Sequence, residues 1–424
     1  MNAIFTIVAK NYTGLAQVLE ASVRKYAEAD FFILVADEWE GAEQLKQALP
    51  ANVLIAREVL GIPPATWEEM AFKYSLVEFC TAIKAAGFQY LFGKGYDKVL
   101  YFDPDIYVFN PLSSIFDRLN EAEIILTPHI LNAQTPFKGN YNDYLFLLNG
   151  TFNLGFIGLK RSETTDMFLA WWHYRLLYHS FFDNDRGTAT DQKWINLLPA
   201  IFSSRHYTIS RHPGMNVAPW NFHERKVSVD NGIYYIQDRE DIRSAKEPLL
   251  FVHFSGYDYS QIGSGQVVHK SDQMTEYEDL QPVFETYGAA LADSNFAAYT
   301  GLKYSYSTFE NGVGIMSLHR RIYRRLLEEK IRYDHLFSAE KGAYYSLLEG
   351  KGLLDYSPVS ADKLTNKTVK NFSTKFGYVR LLLSFIKKII GIRRYAVMIR
   401  FFRRFFAEEN QVFLVNKEAG KKLQ

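Results

Sequence analysis

Short β-rich runs alternate with helix-length segments through the first two-thirds of the chain, and this alternation constrains the fold more than any other feature. Ala3–Val8 is apolar, is broken by Lys10–Thr13, and gives way to a helical pattern through Leu15, Val18, Leu19, Ser22 and Val23. Asp30–Ala36 is a second β-rich run. A long helical stretch, Trp67–Phe92, precedes a third strand at Lys98–Phe102, and further strands fall at Glu123–Leu126, Phe152–Leu159, Ile233–Ile236 and Leu249–Phe254. Strands separated in this way predict an α/β fold with a mostly parallel sheet flanked by helices. Gly, Asn and Asp gather just after the strand ends, where such sheets bind ligands. From about Gln261 the strand signal fades into helical, aromatic-rich sequence, and a boundary near Ser357–Pro358 precedes a basic tail. The expected organisation is therefore 1–256, 257–357 and 358–424.

Composition limits the classes available. With 48% hydrophobic and 22% charged residues over 424 positions, the chain can bury the cores of two or three units and is not disordered. The single cysteine, Cys80, excludes a disulfide framework and a thiolate zinc site. MNAIFTIVAKNY lacks the pattern of a secretory signal, and no apolar run reaches the roughly 18 residues of a membrane span, so a cytoplasmic protein is expected. The net charge of +1 conceals an asymmetry. Residues 363–404 hold 12 Lys and Arg and no Asp or Glu, which leaves −11 on the rest of the chain. An acidic body opposes nucleic-acid binding, while the basic tail calls for an anionic partner.

Lys98-Val-Leu-Tyr-Phe-Asp-Pro-Asp-Ile106 is the most informative motif. An apolar strand delivers two carboxylates, Asp103 and Asp105, into the loop at its C-terminal end, where they can share a divalent ion with water and phosphate oxygens. A second D-x-D, Asp183-Asn-Asp185, lies in a polar turn with no such strand before it. Phe152-Asn-Leu-Gly-Phe-Ile-Gly158 places Asn153 and two glycines in an apolar strand, which marks a close approach of ligand or backbone. Thr190-Asp-Gln-Lys-Trp-Ile-Asn196 reads as a helix start, with Thr190 as cap and Asp191 and Gln192 in the first turn. The bland use of these residues is to complement the helix dipole. Phe251-Val-His-Phe-Ser-Gly256 sets His253 at the end of an apolar run, a position more often filled by a hydrogen-bonded core histidine than by a ligand.

In this order the four motifs resemble the nucleotide-sugar-dependent retaining glycosyltransferases of family 8, which include glycogenin and bacterial lipopolysaccharide galactosyltransferases. Glu78-Phe-Cys-Thr-Ala-Ile-Lys84 is similar to the family's helix before the D-x-D strand, and Val8-Ala-Lys-Asn-Tyr12 to its first-strand loop. The resemblance spans about residues 3–256. It implies a GT-A fold (a Rossmann-like nucleotide-diphospho-sugar transferase domain), a UDP-sugar donor with Mn²⁺ or Mg²⁺, and transfer of a hexose with retention. It further implies that Asp103, Asp105 and His253 hold the metal. Ala9, Lys10, Asn11, Tyr12 and Asp37 would lie at the nucleoside, Lys84 near the donor, and Asn153, Asp191 and Gln192 at the donor sugar. The family usually follows its H-x-x-G with a lysine and a proline, where this chain reads Tyr257-Asp-Tyr-Ser260. Lys84 or Lys270 would then serve the diphosphate.

A carboxylate–imidazole set suits Mn²⁺ better than Mg²⁺. An inverting enzyme would need a base such as Asp143, Asp183 or Asp185, and a non-catalytic carbohydrate-binding or scaffold protein would show no metal-dependent donor hydrolysis. The acceptor is expected to be a saccharide or a lipid-linked sugar, in surface polysaccharide or glycolipid synthesis, with recognition in residues 257–356. In the tail, Val379, Leu382, Leu383, Ile386, Ile389 and Ile390 oppose Arg380, Ser384, Lys387 and Lys388. After Gly391, Tyr395, Met398, Ile399, Phe402, Phe405 and Phe406 oppose Arg393, Arg400, Arg403 and Arg404. Residues 376–406 are thus expected to lie on an anionic membrane, peripheral on its inner face; the alternative is packing of both stripes on the acidic body.

Overall fold

Apolar runs long enough to be covered on both faces build the central sheet. The computed structural model describes residues 1–40, 42–241, 243–259, 268–269, 277–357 and 371–417. In chain order the strands are β1 (Asn2–Val8), β2 (Asp30–Val35), β3 (Val53–Ile55), β4 (Lys98–Phe102), β5 (Ile106–Val108), β6 (Ile124–Pro128) and β7 (Phe152–Lys160). They continue with β8 (Phe182–Asp183), β9 (Thr188–Ala189), β10 (Tyr207–Ile209), β11 (Arg225–Asp230), β12 (Ile233–Asp238), β13 (Glu247–Pro248) and β14 (Phe251–His253). Seven of them form one sheet in the order β10-β6-β7-β4-β1-β2-β3. The β1–β2, β2–β3, β1–β4 and β6–β10 pairs are parallel, and β7 runs antiparallel to both β4 and β6. The fold class is therefore α/β with a mostly parallel sheet, as the alternation predicts.

This topology fixes where function can sit. The C-terminal ends of β1, β2, β4 and β6 share one edge, and the reversed β7 brings its first residues to the same edge. The strands expected at 233–236 and 249–254 form outside the central sheet. β11, β12 and β13 make a small antiparallel sheet, and Asn231 (φ 50°) with Gly232 (φ 79°) gives β11–β12 the two-residue turn that Asn-Gly favours. β14 pairs antiparallel with β5, so that His253 lies opposite Ile106.

Two compact units divide the chain: Met1–Ile62 with Leu76–Ser305, and Pro63–Ser75 with Tyr306–Gln424. The first runs on past residue 256 because Val283, Tyr287, Leu291 and Phe296 share a core with Leu15, Val18, Val252 and Phe254. The single helix expected over 67–92 is three helices, Pro64–Lys73, Leu76–Ala82 and Lys84–Gly93. The first belongs to the second unit, where Arg320 Nη1 donates to the carbonyls of Ala71, Phe72 and Tyr74 at 3.0, 2.5 and 2.9 Å and stops the helix.

The second unit packs Phe72, Ile322, Tyr323, Leu326, Tyr344, Leu348 and Val412 into its core. Its longest element, the helix Phe372–Phe405, is interrupted at Gly391 (φ 76°, ψ 161°). Of the described side chains over 371–406, none is buried; Leu381, Phe385, Ile389 and Ile392 are each more than 60% exposed. At 100° per residue the apolar side chains of Val379–Ile390 span roughly 200°, with Arg380, Ser384, Lys387 and Lys388 filling the remainder. No helix among the described residues is long and apolar enough to cross a membrane. The boundary expected near Ser357–Pro358 adjoins residues 358–370, which lie outside the described residues, as does Lys270.

Candidate active site

β4 ends at Phe102 and the chain turns through Asp103-Pro-Asp105 into β5. Asp103 N–H donates to the Gly155 carbonyl at 2.7 Å and Phe254 N–H to the Asp105 carbonyl at 2.8 Å, so β7 and β14 clamp the turn. The β5–β14 pairing carries His253 across nearly 150 residues of sequence to these carboxylates. Its Nε2 is 3.1 Å from Asp105 Oδ1 and 3.8 Å from Asp103 Oδ2. The three residues can each offer one ligand atom within 4.8 Å of the others.

The imidazole is oriented from behind. His253 Nδ1 lies 3.1 Å from Asn153 Oδ1, which also accepts from Gly155 N–H at 3.1 Å and from Asn216 Nδ2 at 3.0 Å. With Nδ1 as donor, Nε2 faces the carboxylates with its lone pair, the arrangement typical of a ligating histidine. Gly155 has its glycine for a local reason: a Cβ there would sit 2.4 Å from His253 Cε1. Burial opposes protonation of His253, but Asp105 and Asp103 outweigh it and raise the group above the ordinary imidazole value. Loss of water raises Asp103 in turn, against the pull of Lys84 and His253. The cluster is short of positive charge.

Lys84 links this cluster to Asp191. Its buried Nζ donates to Asp191 Oδ2 at 2.6 Å and to the Leu154 carbonyl at 2.8 Å, lies 4.0 Å from Asp103 Oδ1, and sits 4.0 Å over the Tyr101 ring. Thr190 does not cap the following helix: it has φ 48°, and its hydroxyl donates to Asp191 Oδ1 at 3.1 Å. Asp191 occupies the cap position yet makes no side-chain cap bond, because its carboxylate is turned to Lys84. Gln192 Oε1 accepts from Leu154 N–H at 3.1 Å and from Asn153 Nδ2 at 3.4 Å, while its Nε2 donates to the Asn149 carbonyl at 3.0 Å.

Lys84, Asp103, Asp105, Asn153, Asp191, Gln192 and His253 all line one cavity of 530 Å³. Ala9, Lys10, Asn11, Tyr12 and Asp37 are not among its lining residues; they form a second group at the ends of β1 and β2. There Asp37 accepts from Lys10 N–H at 2.7 Å and Ser305 N–H at 3.1 Å, and Lys10 Nζ donates to Ser305 Oγ at 2.6 Å. Asn11 Oδ1 is shielded from solvent and has no partner.

Sequence reading missed His129, Phe146, Asn149 and Trp220, which line the same cavity. His129 directly follows β6, so the rule that singled out Asp103 (polar residues just past a strand's C-terminal end) could have found it. Burial holds its imidazole down at about 4. Phe146 and Trp220 carry no motif; only the fold brings them there.

No family model matches the chain. It is similar to YfnF of Bacillus subtilis (strain 168), an uncharacterized protein, at 24% identity over 293 residues, covering 68% of this chain and 91% of that one. Among solved structures it is similar to the galactosyltransferase LgtC in complex with donor and acceptor sugar analogs, at 15% identity, 70% of this chain, 96% of that chain and a TM-score of 0.38. The bifunctional glycosyltransferase WbbM matches at 15% identity, 70% and 50% coverage and a TM-score of 0.40. Mouse xyloside xylosyltransferase 1 matches at 14% identity, 51% and 88% coverage and a TM-score of 0.33.

Proposed function

We propose that this chain is a metal-dependent GT-A glycosyltransferase that moves a hexose from a UDP-sugar to a saccharide or glycolipid acceptor with retention. One observation carries the reading: Asp103, Asp105 and His253 converge with the Lys84–Asp191 pair and Gln192 in a single cavity at the C-terminal edge of the sheet. The electron-rich carboxylates and the oriented imidazole fit a divalent ion, Mn²⁺ more than Mg²⁺. Held by Asp103, Asp105 and His253, such an ion would stabilise the charge of a departing diphosphate as a Lewis acid.

The chain's own groups account for the remaining needs. Lys84, fixed between Asp191 and Asp103, offers the cavity a cation for phosphate and so fills the place of the family's missing lysine. Among the described residues, the carboxylates that line the cavity are Asp103, Asp105 and Asp191. With two committed to the ion, Asp191 is the one left to face the positive charge that develops on the sugar, with Gln192 and Asn153 beside it. Asp143, Asp183 and Asp185, the bases an inverting route would use, do not line this cavity, which favours retention. At the second group, Asn11 Oδ1 suits a donor on the base, and Asp37 serves by fixing Lys10 and Ser305. Residues 376–406 lie on an anionic membrane in this reading, peripheral at the inner face, supported by their exposed apolar arc and cationic remainder. That location suits assembly of a surface polysaccharide or glycolipid.

Many transferases slowly pass their sugar to water, so a panel of UDP-hexoses and UDP-N-acetylhexosamines tests the reading through UDP release. Mn²⁺-dependent release with at least one of them is expected, abolished by EDTA. Undiminished release in EDTA, or none with any donor, overturns it.

A further inference from the structure

We propose that the acceptor is an amphiphile, with its accepting sugar carried on an apolar group that seats on the mouth of the catalytic cavity; this rests on the transferase reading above. The cavity has two chemistries. Its metal-binding, cationic and amide groups are those already described: Lys84, Asn153, Asp191 and His253 are buried, and Asp103, Asp105 and Gln192 are half-buried. Its other lining residues include Val77, Tyr141, Leu145, Phe146, Phe182 and Trp220. Val77 is 64% exposed and Phe182 54%, and the apolar surface continues on the helix Tyr144–Asn149, where Leu147 is 73% exposed.

A hydroxylated sugar chain does not call for this surface. Sugar rings stack on free aromatic faces, and here the inner rings are already engaged: Phe146 stacks on His129 (centroids 5.3 Å, 26°), and Trp220 stands edge-on to His129 and to His253, each at 5.2 Å. What is left open at the mouth is aliphatic Val77 and Leu145 beside one exposed ring, Phe182; the aliphatic side chains give a sugar nothing to stack on and suit methylene groups. Two polar atoms among the lining residues have no partner and are shielded from solvent, Trp220 Nε1 and Asn149 Oδ1. One donates and the other accepts, as a sugar hydroxyl requires. Polar and apolar parts of one ligand are thus each provided for.

The test compares octyl β-D-glucopyranoside, below its micelle concentration, with methyl β-D-glucopyranoside. Each is titrated calorimetrically into the full chain carrying UDP and Mn²⁺. Burying about two of the seven added methylenes is enough for a tenfold gain, so the octyl glycoside is expected to bind at least tenfold tighter. The double variant Val77→Ser, Phe182→Ser, at two exposed positions, should cut that margin to about twofold. Equal affinities in the parent protein overturn the inference. So does a margin that survives in the double variant, since that binding belongs to the exposed helix at 372–405. UDP binding without an octyl margin removes only the amphiphilic acceptor; failure to bind UDP in Mn²⁺ removes the transferase reading and this inference with it.

Discussion

The cavity floor and the helix Phe372–Phe405 are built on opposite terms. In the floor the catalytic cluster is held by named neighbours: Asn153 Oδ1 alone meets His253, Gly155 and Asn216. In the helix not one described side chain over 371–406 is buried, and its character lies in the arc of its residues and in no single contact. The floor stores information in positions, and one substitution should break it. The helix stores it in composition, and only a change to several residues should.

The largest effect is expected from Asp105→Asn. The neutral amide keeps the shape and removes a charged ligand from the set facing His253. UDP release should fall by about a thousandfold or more, roughly 4 kcal/mol of transition-state stabilisation, with an unchanged far-ultraviolet spectrum. A tenfold loss or less would mean that the carboxylates do not work through a metal.

Next in size is a collective change in the helix. Each basic residue near an anionic surface contributes about 1 kcal/mol, so Arg380, Lys387, Lys388 and Arg393 replaced together by Gln should weaken sedimentation with phosphatidylserine-containing vesicles by two to three powers of ten. Any one of them alone should cost about fivefold. Substitution is the sound test here, since truncation would also remove Val412 and Glu409, which are buried, Glu409 against Arg324 at 3.0 Å. Binding that ignores the four substitutions would sink the membrane reading.

Lys84→Met returns to the floor. The Lys84–Asp191 pair is almost wholly buried, and removing one partner leaves a carboxylate without its counter-charge. Broken buried pairs cost about 3–5 kcal/mol; the Thr190 hydroxyl, which still reaches Asp191 Oδ1, puts the expectation near 3 kcal/mol by denaturant unfolding. A loss below about 1 kcal/mol would mean that Asp191 is as dispensable as a surface carboxylate.

The same contrast governs what could be read in advance. The strands were legible because burial on both faces writes continuous apolar runs, and the D-x-D turn because it follows one of them. The break after Lys73 was not, since Tyr74-Ser75 carries no Gly or Pro and the helix is stopped by Arg320, nearly 250 residues away. The reading of Thr190 as a cap failed for a similar reason: Lys84, 107 residues upstream, holds the carboxylate that a local view assigns to the helix start. The Asn231-Gly232 turn was local and could have been read. Trp220 and Phe146 could not, because single aromatics in a chain with 33 Phe and 6 Trp point nowhere until the sheet edge gathers them.

The smallest effect concerns His129, the one of the cavity's two lining histidines whose protonation burial opposes successfully. His129 is 6% exposed, and burial lowers its imidazole from the ordinary 6.5 to about 4. Between these values the unfolded chain binds a proton that the native chain refuses, so stability falls as pH drops from about 6.5 towards 4 and is fully present above that window. From pH 7 to pH 5 this group should account for about 2 kcal/mol of lost unfolding free energy. His129→Phe, which keeps a ring against Phe146, should flatten the acid limb by that amount. His223, also held down at about 4, contributes equally to both proteins and cancels in the comparison. Parallel acid limbs in the two proteins would mean that His129 gains its proton without leaving the fold, and that this part of the floor is as open to water as the helix.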